Sequence, residues 1–279
     1  MKTLGHLRFT QITLEPGEEW LDQAPVWRFL HLHSGAGYWM GEAPVRALTG
    51  GELMVIVPGS KAVIRASQLN EVVLQGFSFA PDLLCGTLTL DESHFFEARA
   101  GADLDRNVFL PSTHPATERF AALTTAAETL GALAQRAEAL RIVAEVFDPA
   151  LDGNKTVTGS GTSATERFQQ FVAGMPEFEL INYAPAELAR LCGCSSRHFN
   201  RLFWKHFGAS VRARQTELRL LRARQLLGST DGRIVQVAFQ SGYRNLSLFN
   251  SLFKRRFGMT PSEWRRQIKA ESNGAEPIR

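Results

Sequence analysis

Cysteine is nearly missing from this chain: Cys85, Cys192 and Cys194 are the only three in 279 residues. So sparse and odd a set, without zinc-type spacing, excludes a disulfide framework and a cysteine-held metal. No stretch comes near the ~18 consecutive apolar residues of a membrane span. Residues 1–6 lack the apolar core of a signal peptide, so the expected location is cytoplasmic, with no membrane partner. No glycine-rich phosphate loop appears, and His94, His114 and the acids form no triad or acid–base pair. An enzyme is therefore not expected, and neither is a cofactor or a metal.

Acidic residues are scarce where basic ones gather. From 165 to 279 the chain holds 19 Lys/Arg and 9 Asp/Glu, a net +10; residues 1–164 hold 12 and 19, a net −7, and the two return the overall +3. A basic half calls for an anionic partner, and nucleic acid is the commonest. The sign changes across 151–163, a stretch with three glycines and no aromatics that reads as a flexible linker. Two domains follow, 1–150 and 164–270, with a tail at 271–279.

The first domain reads as strands up to about 110. Apolar runs at 26–33, 38–40, 53–57 and 71–74 alternate with turns at Gly35-Ala36-Gly37, Gly50-Gly51, Pro58-Gly59 and Gly76. This spacing predicts a small antiparallel barrel or sandwich. From 116 to 147 the apolar residues fall at helical steps, with Gly131 as a candidate break. That helical segment either lies against the strands or forms a dimer seam.

Two small constellations invite function. Trp27, Phe29, His31 and His33 share one strand face, where they could line an effector pocket or pack against the helical segment. A metal at His31-x-His33 is disfavoured, because no carboxylate follows closely and Glu42 lies across the hairpin. Cys192-Gly193-Cys194 sits in a turn; a disulfide there would be strained, and two ordinary turn residues outweigh a redox switch.

The second domain reads as helices throughout, with capping boxes at Ser163–Glu166 and Thr260–Glu263; Gly174 and Pro176 end the helix that the first box opens. Within it the sequence repeats. Ala189-x-x-x-Gly193 returns as Ala238-x-x-x-Gly242, 49 residues on. Phe199-Asn-x-Leu-Phe203-x-x-x-Phe207-Gly208 returns as Phe249-Asn-x-Leu-Phe253-x-x-x-Phe257-Gly258, 50 residues on, so the second turn carries one extra residue. A small alanine lets two helices cross closely, and glycine can take the positive φ of a tight turn between them. The repeated Phe and Leu must face inward. Outward lie Arg197, Arg201, Trp204 and Lys205 in the first copy, and Ser247, Ser251, Lys254 and Arg255 in the second, with Arg244 and Asn245 near the helix start. With Ser196, Asn200 and Asn250 beside them, these residue types suit base edges and phosphates of double-stranded DNA.

Residues of about 165–270 resemble the tandem helix-turn-helix domain of the AraC/XylS (arabinose-regulator) family. The likeness runs through Glu187-Leu188-Ala189, Ser195, Leu202-Phe203, Arg219-Leu220, Ala223, Leu226-Leu227, Ile234, Gln236-Val237-Ala238, Gly242-Tyr243, Phe249, Phe253-Lys254, Phe257-Gly258, Pro261 and Trp264-Arg265. It departs at Tyr243, Trp264, Trp204 and Val211, where the family more often has Phe, Tyr, Lys and Pro. Residues 48–59 resemble the Gly-Asp-x-x-x-x-Pro-Gly stretch of cupin-like regulatory domains, with Glu52 for the aspartate. The resemblance implies an α+β two-domain chain: a cupin-like antiparallel β-barrel with a C-terminal helix pair, then an all-α tandem helix-turn-helix domain. It implies a long helix over 211–227, ~25 Å at ~1.5 Å per residue, suited to placing recognition helices in successive grooves ~34 Å apart. It also implies a transcription regulator, an activator by preference, that works as a homodimer with RNA polymerase as partner, under control by a small-molecule effector or by a regulatory protein. A cupin-type metalloenzyme fused to a DNA-binding module is the remote alternative.

Overall fold

The computed structural model describes residues 5–41, 45–84, 86–101, 107–127, 129–152 and 163–273. Cys85, Glu42, and the expected linker and tail beyond their inner ends lie outside the described residues. The strands are β1 (Thr10–Leu14), β2 (Glu19–Asp22), β3 (Trp27–Ser34), β4 (Ala36–Trp39), β5 (Arg46–Thr49), β6 (Leu53–Ile56), β7 (Ala62–Ala66), β8 (Val72–Phe79) and β9 (Val108–Leu110). Among the helices, α1 is Leu90–Gly101, α2 Pro115–Ala126, α3 Ala132–Asp152 and α4 Ala164–Gly174. They are followed by α5 (Pro185–Leu191), α6 (Ser196–Phe207), α7 (Val211–Ser229), α8 (Ile234–Gln240), α9 (Leu246–Phe257) and α10 (Pro261–Asn273).

Two compact units emerge: residues Met1–Ala80 with Phe95–Val157, and residues Pro81–His94 with the chain from Thr158 onward. The sequence reading assigned all of 1–150 to one domain, whereas 81–94 pack with the helices of the second unit. Leu90 is fully buried in that unit's core, its N–H donates to the Met175 carbonyl, and the Glu177 N–H donates to the Leu88 carbonyl. These are long-range contacts that no local pattern announces.

In the first unit the expected barrel or sandwich takes the form of two antiparallel sheets, ordered β1-β8-β3-β6-β9 and β2-β7-β4-β5. One core draws on both: Ile12, Leu30, Leu32, Met54, Ile56 and Leu74 from the first, Trp20, Trp39, Leu48 and Ile64 from the second. The other face of the five-stranded sheet is buried too. Phe29 and Phe77 stack there at 4.9 Å, Phe77 stacks on Phe120 of α2 at 5.9 Å, and Trp27 meets Phe147 of α3 edge-on at 5.2 Å. A strand buried on both faces tends to an apolar run; β3 is buried throughout 27–32, apolar except for His31 and for Arg28, which pairs with Asp22 at 2.7 Å. Gly76 was read as ending a strand, yet it lies inside β8. A Cβ there would come within 2.5 Å of the Phe29 carbonyl oxygen, so the glycine permits close approach of β3. Residues 127–131 separate α2 from α3, with Gly131 in the break.

The second unit has two cores joined by α7. Leu218 and Leu221 enter the first, with Phe168, Leu188, Phe199 and Phe203. Leu220, Ala223 and Leu227 enter the second, with Val237, Ala238, Phe249 and Phe253. Phe257 packs against both. Each buried Phe or Leu contributes roughly 1.5–3 kcal/mol. Both capping boxes form: Glu166 Oε2 accepts from the Ser163 N–H at 2.7 Å, and Glu263 Oε2 from the Thr260 N–H at 2.7 Å. The Glu263 carboxyl is held below its usual range by that backbone donor.

Candidate nucleic-acid interface

The repeat in sequence is a repeat in structure. α5 and α8 end in the same Schellman turn. Gly193 and Gly242 take φ of 65° and 86°; the N–H of each donates three residues back, to the carbonyls of Arg190 and Phe239. The next N–H, of Cys194 or Tyr243, donates five residues back, to the carbonyls of Ala189 and Ala238. α6 then starts at the cap Ser195, whose Oγ accepts from the His198 N–H at 3.3 Å. In the second copy Arg244 is the extra residue, and Asn245 Oδ1 caps the Leu248 N–H at 2.9 Å. Both helices end on left-handed glycines, Gly208 and Gly258.

The inserted residue goes with a change of core. Tyr243 fills the place of Cys194: its ring lies 5.3 Å from that of Phe249, and its hydroxyl donates to the Thr216 carbonyl at 3.3 Å. Burial pushes that phenol up to about 12. In the first copy, burial and the adjacent Cys194 push the Cys192 thiol up to about 11. A protonated, buried thiol is a poor nucleophile, and Cys192 is a packing residue at the end of α5.

Of the inward Phe, Phe199, Phe203, Phe249 and Phe253 are fully buried and Phe207 and Phe257 half-buried, while Ser196, Arg197, Asn200, Arg201 and Lys205 of α6 are exposed. So are Arg244, Asn245, Ser247, Ser251, Lys254 and Arg255; Asn250 is half-buried. The residues predicted to meet DNA thus lie on the outward parts of α6, α9 and the turn before α9. Asn245 also has a structural duty as a cap, which leaves its amide N–H groups to point elsewhere. Trp204, 60% exposed, borders a cavity of about 310 Å³ with Asn200, Pro185, Ser210, Val211 and Arg212. His198, half-buried, and Leu248, exposed, stand outside the expected set. They lie at i and i+3 with Arg201 and Ser251, on the same helical face. His198 Nδ1 lies 3.2 Å from Arg201 Nη2; a guanidinium only donates, so this nitrogen accepts and the ring proton sits on Nε2.

A buried polar assembly supports this frame from below. Arg214 of α7 lies 3.7 Å from Glu177, each side chain 9% exposed. Glu177 accepts from the Ser93 hydroxyl, and Gln215 Nε2 donates to the carbonyls of Leu180 and Tyr183 at 2.9 and 2.8 Å. Asp91 meets His206 of α6 at 2.9 Å, and Asp82 pairs with Arg224 of α7.

The four residues expected to line an effector pocket are divided. Trp27, Phe29 and His31 are buried on the helix-covered face of the five-stranded sheet, whereas His33 is exposed. His31 lies 5.3 Å from Phe120, ring to ring, and its Nδ1 has no hydrogen-bond partner among the described residues. Burial first, then His33, lowers its pKa to about 4, so it is neutral at physiological pH. Among the described residues no group of three His, Cys, Asp or Glu is placed to hold a metal, and no helix is long and apolar enough to cross a membrane.

Comparison with known proteins agrees with the repeat. A family described as a helix-turn-helix domain matches residues 188–267. The transcriptional regulator GlxA of Rhizobium meliloti is 35% identical over 112 residues, covering 38% of this chain and 35% of that protein. The transcriptional activator RhaR of Klebsiella pneumoniae is 26% identical over 271 residues, covering 92% and 88%. A solved AraC-type regulator structure from Chromobacterium violaceum is 32% identical, covering 40% of this chain and 95% of that one, with a TM-score of 0.33. The chain spans little more than a third of the length of the first such relatives. The repeated helix-turn-helix units thus form an AraC-type helix-turn-helix domain, of the kind these transcription regulators carry.

Proposed function

We propose that this chain is a sequence-specific transcription regulator that sets α6 and α9 in the major groove of duplex DNA and acts as an activator. The observation that carries the reading is the repeated outward face, polar and cationic after two turns that share one Schellman geometry. A major groove ~12 Å wide admits such a helix. Arg197 and Arg201 suit guanine, Asn200 and Asn250 suit adenine, and Ser196, Ser247 and Ser251 suit either. Lys205, Lys254, Arg255 and Arg244 suit phosphates, with Asn245 beside them. At 19 residues, α7 is about 28 Å long, which supports engagement of successive grooves. The name of RhaR as an activator supports that sign of regulation.

In this reading a small-molecule effector acts through the first unit, and the working species is a homodimer with RNA polymerase as partner. A groove of about 640 Å³ between α2 and α3, lined by Leu123, Ala126, Leu130, Arg119 and Glu138 among others, has room for a ligand.

The test is selection of genomic DNA fragments by the purified chain at physiological salt. A shared motif of two blocks about one helical turn apart is expected. Binding without any motif, with and without candidate effectors, would overturn the reading.

A further inference from the structure

The two recognition helices present different chemistry at equivalent positions. α6 opens with Ser196, Arg197 and His198; α9 opens with Leu246, Ser247 and Leu248. Along the outward row at steps of three and seven, α6 carries His198, Arg201 and Lys205, whereas α9 carries Leu248, Ser251 and Arg255. Both rows end in a cation, but the first turns differ: hydrogen-bonding groups in one, an apolar side chain in the other. Leu248 is 52% and Leu246 40% exposed, in the helical turn that meets base edges in this kind of module.

A single exposed leucine is ordinary on a protein surface. Here two flank Ser247 on a helix whose other exposed members are Ser251, Lys254, Arg255 and Arg256, with Arg244 just before it. A protein-binding core is a contiguous patch depleted in charge, whereas here two leucines stand among four cations. The counterpart that fits is anionic at its edges and apolar at its centre. Duplex DNA has that pattern wherever thymine presents its C5-methyl on the major-groove floor between two phosphate backbones.

Resting on the DNA-binding reading above, we propose that the second helix-turn-helix unit selects its block of the site by packing Leu248, with Leu246 beside it, against the C5-methyl groups of thymines. The first unit reads its block by hydrogen bonds from Arg197 and Arg201. The two blocks therefore differ in kind: one is recognised by donors, the other by methyl groups.

Uracil tests this directly, because it pairs as thymine does and lacks only the methyl. Thymines of both blocks are replaced one at a time in the selected duplex, and affinities of the full chain are measured. The wild-type chain is expected to lose about fourfold for each methyl contacted, in one block alone. Leu248→Ala should bind the thymine site more weakly by a similar factor and treat thymine and uracil alike at that position. Leu248→Met should keep part of the preference, and thermal melts of both variants should match wild type, since the side chain is exposed. Equal wild-type affinity for thymine and uracil throughout would overturn the proposal, as would an undiminished preference in Leu248→Ala. So would a Leu248→Ala chain that loses transcription but keeps its DNA affinity, which would assign the leucine to a protein partner. If no shared motif is selected, this inference falls with the DNA reading; if the motif stands and its methyls are irrelevant, it falls alone.

Discussion

Gly193 and Gly242 hold the same left-handed backbone in the two turns, and each lies beneath an arginine from an earlier helix. Arg167 of α4 donates from Nη2 to the Gly193 carbonyl at 3.0 Å, and a Cβ on Gly242 would meet Arg219 Nε of α7 at 3.1 Å. Any side chain here faces both a positive φ and a crowded neighbour. Gly193→Ala and Gly242→Ala should each destabilise the second unit by about 1–2 kcal/mol. Gly228→Ala should do the opposite, stabilising by about 0.5–1 kcal/mol, because Gly228 is inside α7 and its Cβ would make only an ordinary 3.8 Å contact with Ile268. Urea melts of the three variants check the signs; destabilisation by all three would refute the distinction.

The Arg214–Glu177 pair is buried on both sides, so removing one partner takes a compensating charge away from a buried group. Glu177→Ala should cost about 3–5 kcal/mol, and the double variant Glu177→Gln/Arg214→Met should recover much of that loss. Thermal melts of the single and double variants would show it. If the double variant is no more stable than the single, the charge is not what the pair neutralises.

His31 sets a pH dependence with a definite sign. Its folded pKa of about 4 lies below the ordinary 6.5, so between those values the unfolded chain binds more protons than the folded one. Stability is unaffected by His31 above about pH 6.5 and declines as pH falls towards 4, by at most about 1.4 kcal/mol per pH unit. His31→Leu keeps an apolar contact for Phe120 and should flatten that part of the profile. Identical slopes for wild type and variant across pH 6.5 to 4 would show that the imidazole titrates normally.

On DNA, Arg201→Ala should weaken specific binding by about 1–3 kcal/mol and relax preference at one base pair. Lys254→Ala should instead weaken all sequences alike and reduce the salt slope by about one. Titrations at several salt concentrations, on specific and random duplexes, separate the two. Interchanged behaviours would exchange the roles of base reader and phosphate contact.

The second unit's local architecture is written in short-range sequence patterns. Helical period, cap residues and the glycine spacing act over four or five residues, so the two turns, both capping boxes and the inward Phe rows were legible without tertiary information, while the long helix at 211 came from the family resemblance. Even the extra residue before Asn245 could be counted. Tertiary structure alone decided three other things. Residues 81–94 join the second unit because Leu90, Asp91 and Ser93 find partners about 85 to 115 positions away in the chain, a pairing that no local pattern encodes. Trp27, Phe29 and His31 turn to the helices, while Leu30 and Leu32 turn to the sheet core. When both faces of a strand are apolar, alternation shows that residues part company but not which side is which. Finally, exposed Arg201 and half-buried His198 become one hydrogen-bonded group, and Leu248 is left about half exposed. Exposure depends on what packs nearby, and only the assembled helices settle that.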